Sequence, residues 1–478
     1  MNRLEFSDPY VKDSKIDNFG GVEALIPEFD SPDRLPALIG DLRRRAAEVY
    51  ANLSPADIRS ITDTVDAFFA DADSPEVRSV IDLLVETDGF SRYDIERFGI
   101  GIFAPLLRYD PALIGRFVEQ AFQSRRPVET AYGYLKRFGL DLPLRRWREP
   151  SIISHFVSGN VVGYSSILLR IGFPLKNSGA AQVIKLPATS AIFPLIYLDK
   201  PKDVCPELRE TIASGYWKGG DRRIEDLVLK SSNAVNVLGS DTTVRDVRER
   251  ARRLSPQAVL LPHGHKIGAA YVSRNFAVDQ DLREATIQSL VRDISAFDGA
   301  ACYSLKNIFV QGDHRDFAER LQAALVEFAD KISPVGREAG RVARNLRRIF
   351  LGSPDILTSA GAQAVVRIRD KAEFWFPDET FRYVQVMPVE DENHAAAVLE
   401  AAGPYLQTVV VAVPDDLILP VFELFGRAGA SNIHFPGSAP FLNVHEEPHD
   451  GDFDVVKVRR PYRYRFAATN FKKNSDWL

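Results

Sequence analysis

Between residues 152 and 262 the chain reads IISHFV (152–157), QVIKL (182–186), AVNVLG (234–239) and AVLLP (258–262). These apolar runs are separated by helix-like stretches near 206–214, 221–230 and 242–253. Strands that alternate with helices in this way predict a parallel sheet with helical crossovers, so we expect an α/β fold.

The alternation continues beyond residue 268, whereas the first part of the chain has a helical pattern. Strands are predicted at AAYVS (269–273), NIFVQ (307–311), AVVRIRD (364–370), RYVQVMPV (382–389) and TVVVAV (408–413), with a long helix near 280–297. Up to about residue 130 apolar residues recur at helical spacing, as at Leu35, Leu38, Ile39 and Leu42. The C-terminal stretch FDVVKVRRPYRYRFAATNFKK (453–473) is rich in lysine and arginine. It suits either a solvated edge strand or a surface that binds an anion or a partner.

Composition and charge exclude several classes of protein. The 478 residues are 45% hydrophobic and 26% charged, which is typical of a globular chain of about two or three domains. The 60 lysines and arginines against 65 acidic residues give a net charge of −5, so no overall basic field favours nucleic acid. We expect neither a membrane span nor a secretory signal, and with only Cys205 and Cys302 no disulfide framework. The expectation is a cytoplasmic enzyme.

Cys302 is the candidate nucleophile, because it lies between a predicted helix and a predicted strand in AFDGAACYSLKNIFV. Backbone N–H groups at such a junction favour a thiolate and any oxyanion that it generates. The alternative is a small buried core residue, as most free cysteines are. Cys205 precedes a proline at a predicted helix start and is expected to be structural.

Glycines and polar residues follow the predicted strands, at the edge where open α/β sheets bind ligands. Gly159 allows a tight turn, and Asn160 offers an amide that could complete an oxyanion hole, with an ordinary turn as the alternative. Lys185 is suited to a nucleotide ribose or phosphate, unless it is a surface lysine. Gly219 and Gly220 begin a predicted helix whose amides could bind pyrophosphate, although a capped helix needs no ligand.

Two further patterns are set aside. Gly99, Gly101 and Ala104 spell a G-x-G-x-x-A fingerprint, but the residues before them have a helical pattern, and the fingerprint must follow a strand. His263 and His265 resemble an H-x-H metal pair without an evident third ligand. We expect no metal, and instead an imidazole that serves as acid or base or orients a loop.

Six segments, in this order, resemble the LuxC-type acyl-CoA reductases of the aldehyde dehydrogenase superfamily. They are HFVSGNVVG (155–163), LKNSGAAQVIKLP (175–187), YWKGGD (216–221), VNVLGSDTTVRDVR (235–248), HGHKIGAAYVSR (263–274) and VRDISAFDGAACYSLKNIFV (291–310). The resemblance covers about residues 150–312 with good specificity, is weaker from 360 to 460, where PHDG (448–451) also fits, and is weak in the N-terminal region.

The resemblance implies an aldehyde dehydrogenase-like architecture of four parts. They are a helical N-terminal cap (1–130), a Rossmann-type nucleotide-binding domain (131–264), an α/β catalytic domain with the nucleophilic cysteine (265–440) and a C-terminal strand or oligomerisation element (441–478).

The same resemblance implies roles for individual residues. Cys302 takes the place of the catalytic thiol, Asn160 that of the oxyanion-hole asparagine and Lys185 that of the lysine at the cofactor ribose. Further cofactor contacts are implied for Gly159, Gly219, Gly220, Gly239 and Ser240. The superfamily binds its dinucleotide without a standard G-x-G-x-x-G, so the absence of that fingerprint is expected.

Two departures from the superfamily pattern carry information. Pro262 stands where hydrolytic aldehyde dehydrogenases have the glutamate that activates water, so an acyl-enzyme would wait for hydride. Glu379 in DETF matches the nicotinamide-ribose glutamate only loosely, because Arg382 and Tyr383 replace its Gly-Pro.

The predicted reaction begins with attack by Cys302 on an acyl-CoA, another acyl-thioester or an acyl-adenylate. Hydride from NADPH, with NADH as the alternative, would release an aldehyde, and His265 is the candidate for managing the thiol proton. The family implies an acyl-activating ligase or adenylating partner and a homo-oligomer. An ordinary NAD(P)-dependent aldehyde dehydrogenase, a cofactor-free acyltransferase or thioesterase, and a scaffold for an activating enzyme remain alternatives.

Overall fold

The computed structural model describes residues 4–53, 55–103, 146–148, 151–161, 180–350, 353–359, 361, 363–376, 381–441, 449–451 and 460–462. Its strands are β1 Leu4–Glu5, β2 Ser14–Phe19, β3 Val22–Pro27, β4 Arg146–Arg148, β5 Ile152–Phe156, β6 Ala181–Lys185, β7 Ile212–Gly215, β8 Ala234–Leu238, β9 Val259–His263, β10 Ile267–Val272, β11 Leu305–Val310, β12 Ile356–Thr358, β13 Val365–Ile368, β14 Tyr383–Pro388, β15 Leu406–Ala412, β16 Asn432–His434 and β17 Arg460–Tyr462. Its α-helices, numbered along the same residues, are α1 Leu35–Asn52, α2 Pro55–Ala70, α3 Pro75–Asp88, α4 Arg92–Asp94, α5 Ile192–Asp199, α6 Pro206–Arg209, α7 Arg222–Ser231, α8 Asp241–Leu254, α9 Arg274–Val278, α10 Gln280–Ser295, α11 His314–Lys331, α12 Arg337–Phe350, α13 Glu392–Glu400 and α14 Ile418–Arg427.

The predicted parallel sheet is confirmed and has five strands in the order β7-β6-β5-β8-β9, although β7 falls largely within the stretch 206–214 that was predicted to be helical. All of its neighbouring strands are parallel. The chain runs outward from β5 through β6 to β7 and then returns to the other side of β5 with β8. This order has a topological switch point between β5 and β8, which is where doubly wound sheets bind ligands at their carboxyl ends.

A seven-stranded sheet, with the order β12-β13-β14-β11-β10-β15-β16, forms the second α/β unit that the sequence predicts. The edge strand β12 is antiparallel, and the other strands are parallel. Every residue of β10, β11 and β15 is buried, as expected for central strands covered on both faces. The expectation of an α/β fold with a second α/β unit is therefore confirmed.

Residues 35–100 are largely helical, as predicted for the N-terminal region, but residues 4–27 form a three-stranded sheet, β1-β3-β2. This sheet was not predicted, because β2 (SKIDNF) has only two apolar residues, Ile16 and Phe19, and Ile16 is exposed. It is held instead by its neighbours, since Tyr216, just after β7, exchanges backbone hydrogen bonds with Pro27 and Phe29. The N-terminal strands thus lie beside the edge strand of the five-stranded sheet.

The G-x-G-x-x-A pattern is set aside correctly, because Ile95–Ile100 form a helical segment before Gly101. In the C-terminal tail, β17 pairs antiparallel with β4. Strand β4 thus joins the predicted C-terminal element, although its residues fall within the range predicted for the nucleotide-binding domain. None of the helices in the described residues has the length and apolar character that crossing a membrane requires.

Candidate active site

The residues that follow β5 of the five-stranded sheet contact the segment that precedes β11 of the seven-stranded sheet. Asn160, four residues beyond β5, donates from Nδ2 to the carbonyl oxygen of Ala300 at 2.9 Å. Ala300 precedes the amino end of β11 and lies two residues from Cys302. The structure therefore brings together two of the predicted site residues, Asn160 and Cys302, at the boundary of the two sheets.

Cys302 is half-buried and belongs to the segment that connects α10 to β11. Phe297, Asp298 and Gly299 all have positive φ in this segment, at 49°, 54° and 77°. Each non-glycine residue in this left-handed conformation costs roughly 1 kcal/mol, so surrounding contacts must hold the segment in place. We call residues 297–302 the nucleophile loop.

Asn160 is exposed, and its position depends on the turn at Gly159. A Cβ atom at Gly159 would lie 2.4 Å from Thr189 Oγ1 and 2.5 Å from the Thr189 carbonyl oxygen, so only glycine fits here. The turn after β5 therefore packs closely on the turn after β6. Since an amide NH₂ carries two N–H donors, the bond to Ala300 leaves one for an oxyanion.

Four of the predicted cofactor residues lie at the carboxyl ends of β5, β6 and β8, around the switch point. Lys185 ends β6, and its Nζ lies 5.8 Å from the centre of the Trp217 ring. Burial lowers the pKa of Lys185. Gly239 follows β8, and Ser240 caps α8 by accepting a hydrogen bond from the Thr243 amide. A cation, a glycine turn and a helix N-terminus at one switch point fit a nucleotide.

Gly219 and Gly220 lie beyond β7, the outer strand on one side, rather than at the switch point. The Gly220 amide donates to Glu225 Oε1 at 3.0 Å, and Asp221 caps α7 through the Arg223 amide. Carboxylates of the chain itself thus occupy this helix start. A pyrophosphate contact at these two glycines stays a prediction.

Two histidines of the β9–β10 connection have different surroundings. His263 is buried, and its Nδ1 lies 2.8 Å from Asp450 Oδ2, while Gln407 donates to Asp450 Oδ1 at 2.8 Å. Neighbouring His263 holds the pKa of Asp450 below its usual value, although burial acts against this. His265 packs edge-on against Phe376 at 5.0 Å. His263 is thus the histidine of this pair that contacts a carboxylate, while the role predicted for His265 at the thiol proton stays a prediction.

His263, His449 and Asp450 also place possible metal-ligand atoms within 4.8 Å of one another. The sequence does not predict this set, because His263 is far along the chain from the adjacent residues His449 and Asp450. The His263 and His449 rings stack in parallel at 3.7 Å, so their nitrogen lone pairs do not converge on one point. His263 also bonds Asp450 directly, so these residues fit a hydrogen-bonded dyad better than a metal centre.

Glu379, the predicted nicotinamide-ribose glutamate, lies outside the described residues. Arg382, noted in the sequence only as a departure from a pattern, is fully buried and forms an ion pair with Asp298 of the nucleophile loop at 2.9 Å. Asp450, within the PHDG segment, was likewise not predicted as a partner of His263. Composition and periodicity carry no signal for such contacts.

Comparison with known structures shows which class of proteins shares this fold. A NAD-dependent benzaldehyde dehydrogenase from Corynebacterium glutamicum is similar with a TM-score of 0.66 at 14% identity, over 96% of each chain. Aldehyde dehydrogenase 21 from Physcomitrella patens, in complex with succinate, gives 0.67 at 14% identity, over 97% of this chain and 98% of that one. A methylmalonate-semialdehyde dehydrogenase from Oceanimonas doudoroffii gives 0.68 at 13% identity, over 98% and 100%. The fold is that of the aldehyde dehydrogenases.

The family can be stated more closely. The model of the acyl-CoA reductase (LuxC) family matches residues 141–460, so the chain belongs to that family and is an oxidoreductase. A search of curated proteins gave no match.

Proposed function

We propose that this chain reduces an activated acyl group to an aldehyde through an acyl-thioester on Cys302, with NADPH as reductant. The observation that carries the proposal is the contact of Asn160 with the nucleophile loop at Ala300, two residues from the thiol. A side-chain amide near a nucleophilic thiol is one of the donors that can stabilise the oxyanion formed in acyl transfer.

In the acylation step the Cys302 sulfur forms a bond to the acyl carbon, and the carbonyl π electrons move to oxygen. The second N–H of Asn160 and a backbone amide near Cys302 would hold that oxyanion. Collapse of the adduct breaks the bond from the acyl carbon to the activating group, which leaves as the thiolate of coenzyme A, the thiolate of another thioester, or AMP from an acyl-adenylate. The chain keeps the acyl group as a thioester.

A nicotinamide cofactor, when bound, supplies the hydride that reduces this thioester. Lys185, Gly239 and Ser240 are the residues that we propose to hold it, since they lie at the carboxyl ends of β6 and β8, on either side of β5, which Gly159 follows. The NAD dependence of the similar benzaldehyde dehydrogenase supports a nicotinamide cofactor here. The choice of NADPH over NADH is part of the proposal.

Because residue 262 is a proline, we expect the acyl-thioester to be hydrolysed slowly relative to its reduction. A proline side chain cannot take a proton from water, so at this position the chain has no carboxylate to activate water against the acyl-thioester. A longer-lived thioester leaves time for hydride transfer. This distinguishes the proposed reductase from an aldehyde dehydrogenase that hydrolyses its acyl-enzyme.

We assign the proton transfers at sulfur to the β9–β10 connection. His263 is favoured over His265, because a carboxylate bonded to Nδ1 orients the ring and stabilises its protonated form. His263 ends β9, which is two strands from β5 in the same parallel sheet, so both strands end at the same edge of that sheet. Membership of the family further supports an acyl-activating ligase or adenylating enzyme as the source of substrate, a homo-oligomeric assembly and a cytoplasmic location.

The proposal is tested by aldehyde formation from a panel of acyl-CoAs and acyl-adenylates with NADPH. We expect Cys302→Ala to abolish the reaction and the matched variant Cys205→Ala to retain it. His263→Gln should slow the reaction more than His265→Gln if the dyad handles the proton. Aldehyde formation by Cys302→Ala at the wild-type rate would refute the proposed function.

A further inference from the structure

Arg382 places a charge deep inside the protein next to the nucleophile loop. Its side chain is fully buried, and its Nη2 lies 2.9 Å from Asp298 Oδ1 and 3.0 Å from Ser333 Oγ. Burying a guanidinium is expensive in free energy, and the ion pair recovers that cost only in good geometry. A buried ion pair of this kind adds little to the stability of the fold, but it fixes the positions of the groups that it joins.

Asp298 links this charge to the strained backbone. It has φ of 54° and lies four residues before Cys302. Its second oxygen, Oδ2, accepts the Gly336 amide at 3.0 Å, so the carboxylate is held from two sides. An aspartate that has left-handed φ needs such partners, since the backbone alone would favour another conformation.

The neighbours of Asp298 in the loop are held as well. The Phe297 ring packs edge-on against Phe90 of the N-terminal region, with 5.3 Å between ring centres. At Gly299 an added Cβ would lie 2.6 Å from the Phe381 carbonyl oxygen and 2.9 Å from Lys306 Nζ. All three left-handed residues are therefore fixed by groups outside the loop.

Hydrogen bonds through Ser333 connect the Arg382–Asp298 ion pair to the N-terminal helices. Ser333 lies 2.9 Å, Oγ to Oγ, from Ser91, which donates to Asp94 Oδ2 at 2.9 Å. Burial raises the pKa of Asp94 to about 6, an effect that Arg382 opposes and Asp298 reinforces. The buried network thus joins the N-terminal region, the residues before α12 and the nucleophile loop around one guanidinium.

We propose that Arg382 is a positioning residue, which holds the nucleophile loop so that the Cys302 thiol faces the oxyanion donors. The inference rests on the proposed function of Cys302 as acyl acceptor. Arg382 touches neither substrate nor thiol in this account and acts through Asp298. Loss of the ion pair would let the loop relax from its left-handed conformation and separate the thiol from the Asn160 amide.

Two reactions of the same thiol separate positioning from folding. Acylation from an acyl-CoA needs the oxyanion donors, whereas alkylation by iodoacetamide forms no oxyanion. In Asp298→Asn, we expect the single-turnover acylation rate to fall about tenfold or more, while alkylation of Cys302 changes little. Asparagine tolerates left-handed φ and retains an acceptor for Gly336, so this variant should fold.

Arg382→Met should show the same selective loss, and Arg382→Lys should recover part of the acylation rate. The matched control is Arg209→Met, which removes another buried ion pair, Arg209–Asp8 at 2.7 Å, from the five-stranded-sheet side of the molecule. It should lower the melting temperature without slowing acylation selectively. Removing both members of the pair, in Arg382→Met with Asp298→Asn, should be no worse than either change alone.

The outcomes distinguish this inference from the proposed function. Wild-type acylation together with an unchanged rate in folded Asp298→Asn overturns the positioning role and leaves the proposed function standing. A parallel loss of acylation, alkylation and melting temperature, as in a destabilised protein, overturns the positioning role too. Absence of acylation in the wild-type protein overturns both.

Discussion

A hydrogen bond from Asn160 to the Ala300 carbonyl joins residues that are 140 positions apart in the chain. It depends on Gly159, whose missing side chain lets the turn after β5 approach Thr189. At the scale of single residues, this contact is the geometric basis for regarding Cys302 as a nucleophile rather than as a core cysteine. Cys205, by contrast, lies beside Glu207, and burial raises the pKa of its thiol.

Asn160→Ala removes the side-chain donor of the proposed oxyanion hole. We expect acylation of Cys302 to slow by about 10²–10³-fold, which is typical for loss of one such donor. Rapid mixing with an acyl-CoA and mass analysis of the quenched protein measures this rate. The affinity for NADPH is the control and should change little, because no cofactor contact is assigned to this side chain. An unchanged acylation rate would contradict the assignment.

At the scale of elements, the nucleophile loop connects helix α10 to strand β11. Asp293, in the last turn of α10, accepts backbone hydrogen bonds from Gly437 at 2.7 Å and Ala439 at 3.2 Å. Its carboxyl is buried, and burial raises its pKa to about 7. The residues after β16 are thereby tied to the helix that leads into the loop.

This raised pKa gives a pH dependence of stability with a defined sign. Between about pH 4 and pH 7 the unfolded chain has lost the Asp293 proton while the folded chain retains it. Unfolding then releases a proton, so the Asp293 contribution makes stability fall as pH rises through this window and level off above it. Below pH 4 both states hold the proton and the contribution is constant.

Asp293→Asn cannot titrate, and we expect its free energy of unfolding to fall less than that of the wild type between pH 5 and pH 7.5. Chemical denaturation at the two pH values measures the difference. Asp416→Asn, which changes an exposed carboxylate, is the matched control and should follow the wild type. Identical pH dependence in Asp293→Asn and the wild type would show that Asp293 is ionised in the folded protein throughout this range.

At the scale of the whole molecule, the sequence predicts elements better than it predicts contacts between them. Local pattern is enough to place segments that are long and apolar or periodic. These segments are the strands β5, β6, β8, β10, β11 and β15 and the helix α10. The strands at residues 4–27 escape prediction, since pairing with one another and with the segment after β7 stabilises them.

The candidate site divides in the same way. Cys302 and Asn160 could be predicted, because they lie in motifs that resemble a known family and at the ends of predicted elements. The His263–Asp450 contact spans 187 positions, and no periodicity indicates which carboxylate His263 will meet. The Arg382–Asp298 pair is similar, because nothing in the sequence distinguishes these two residues from other charged residues. Only the folded structure shows that they are buried and in contact.

The central claim is that Cys302 holds the acyl group and passes it on as aldehyde. Intact-protein mass spectrometry after incubation with an acyl-CoA or acyl-adenylate, and again after addition of NADPH, tests it most directly. We expect a mass increase of one acyl group that maps to Cys302 and disappears with NADPH as aldehyde is released. The absence of an adduct with every donor, or an adduct that NADPH leaves unchanged, would contradict it.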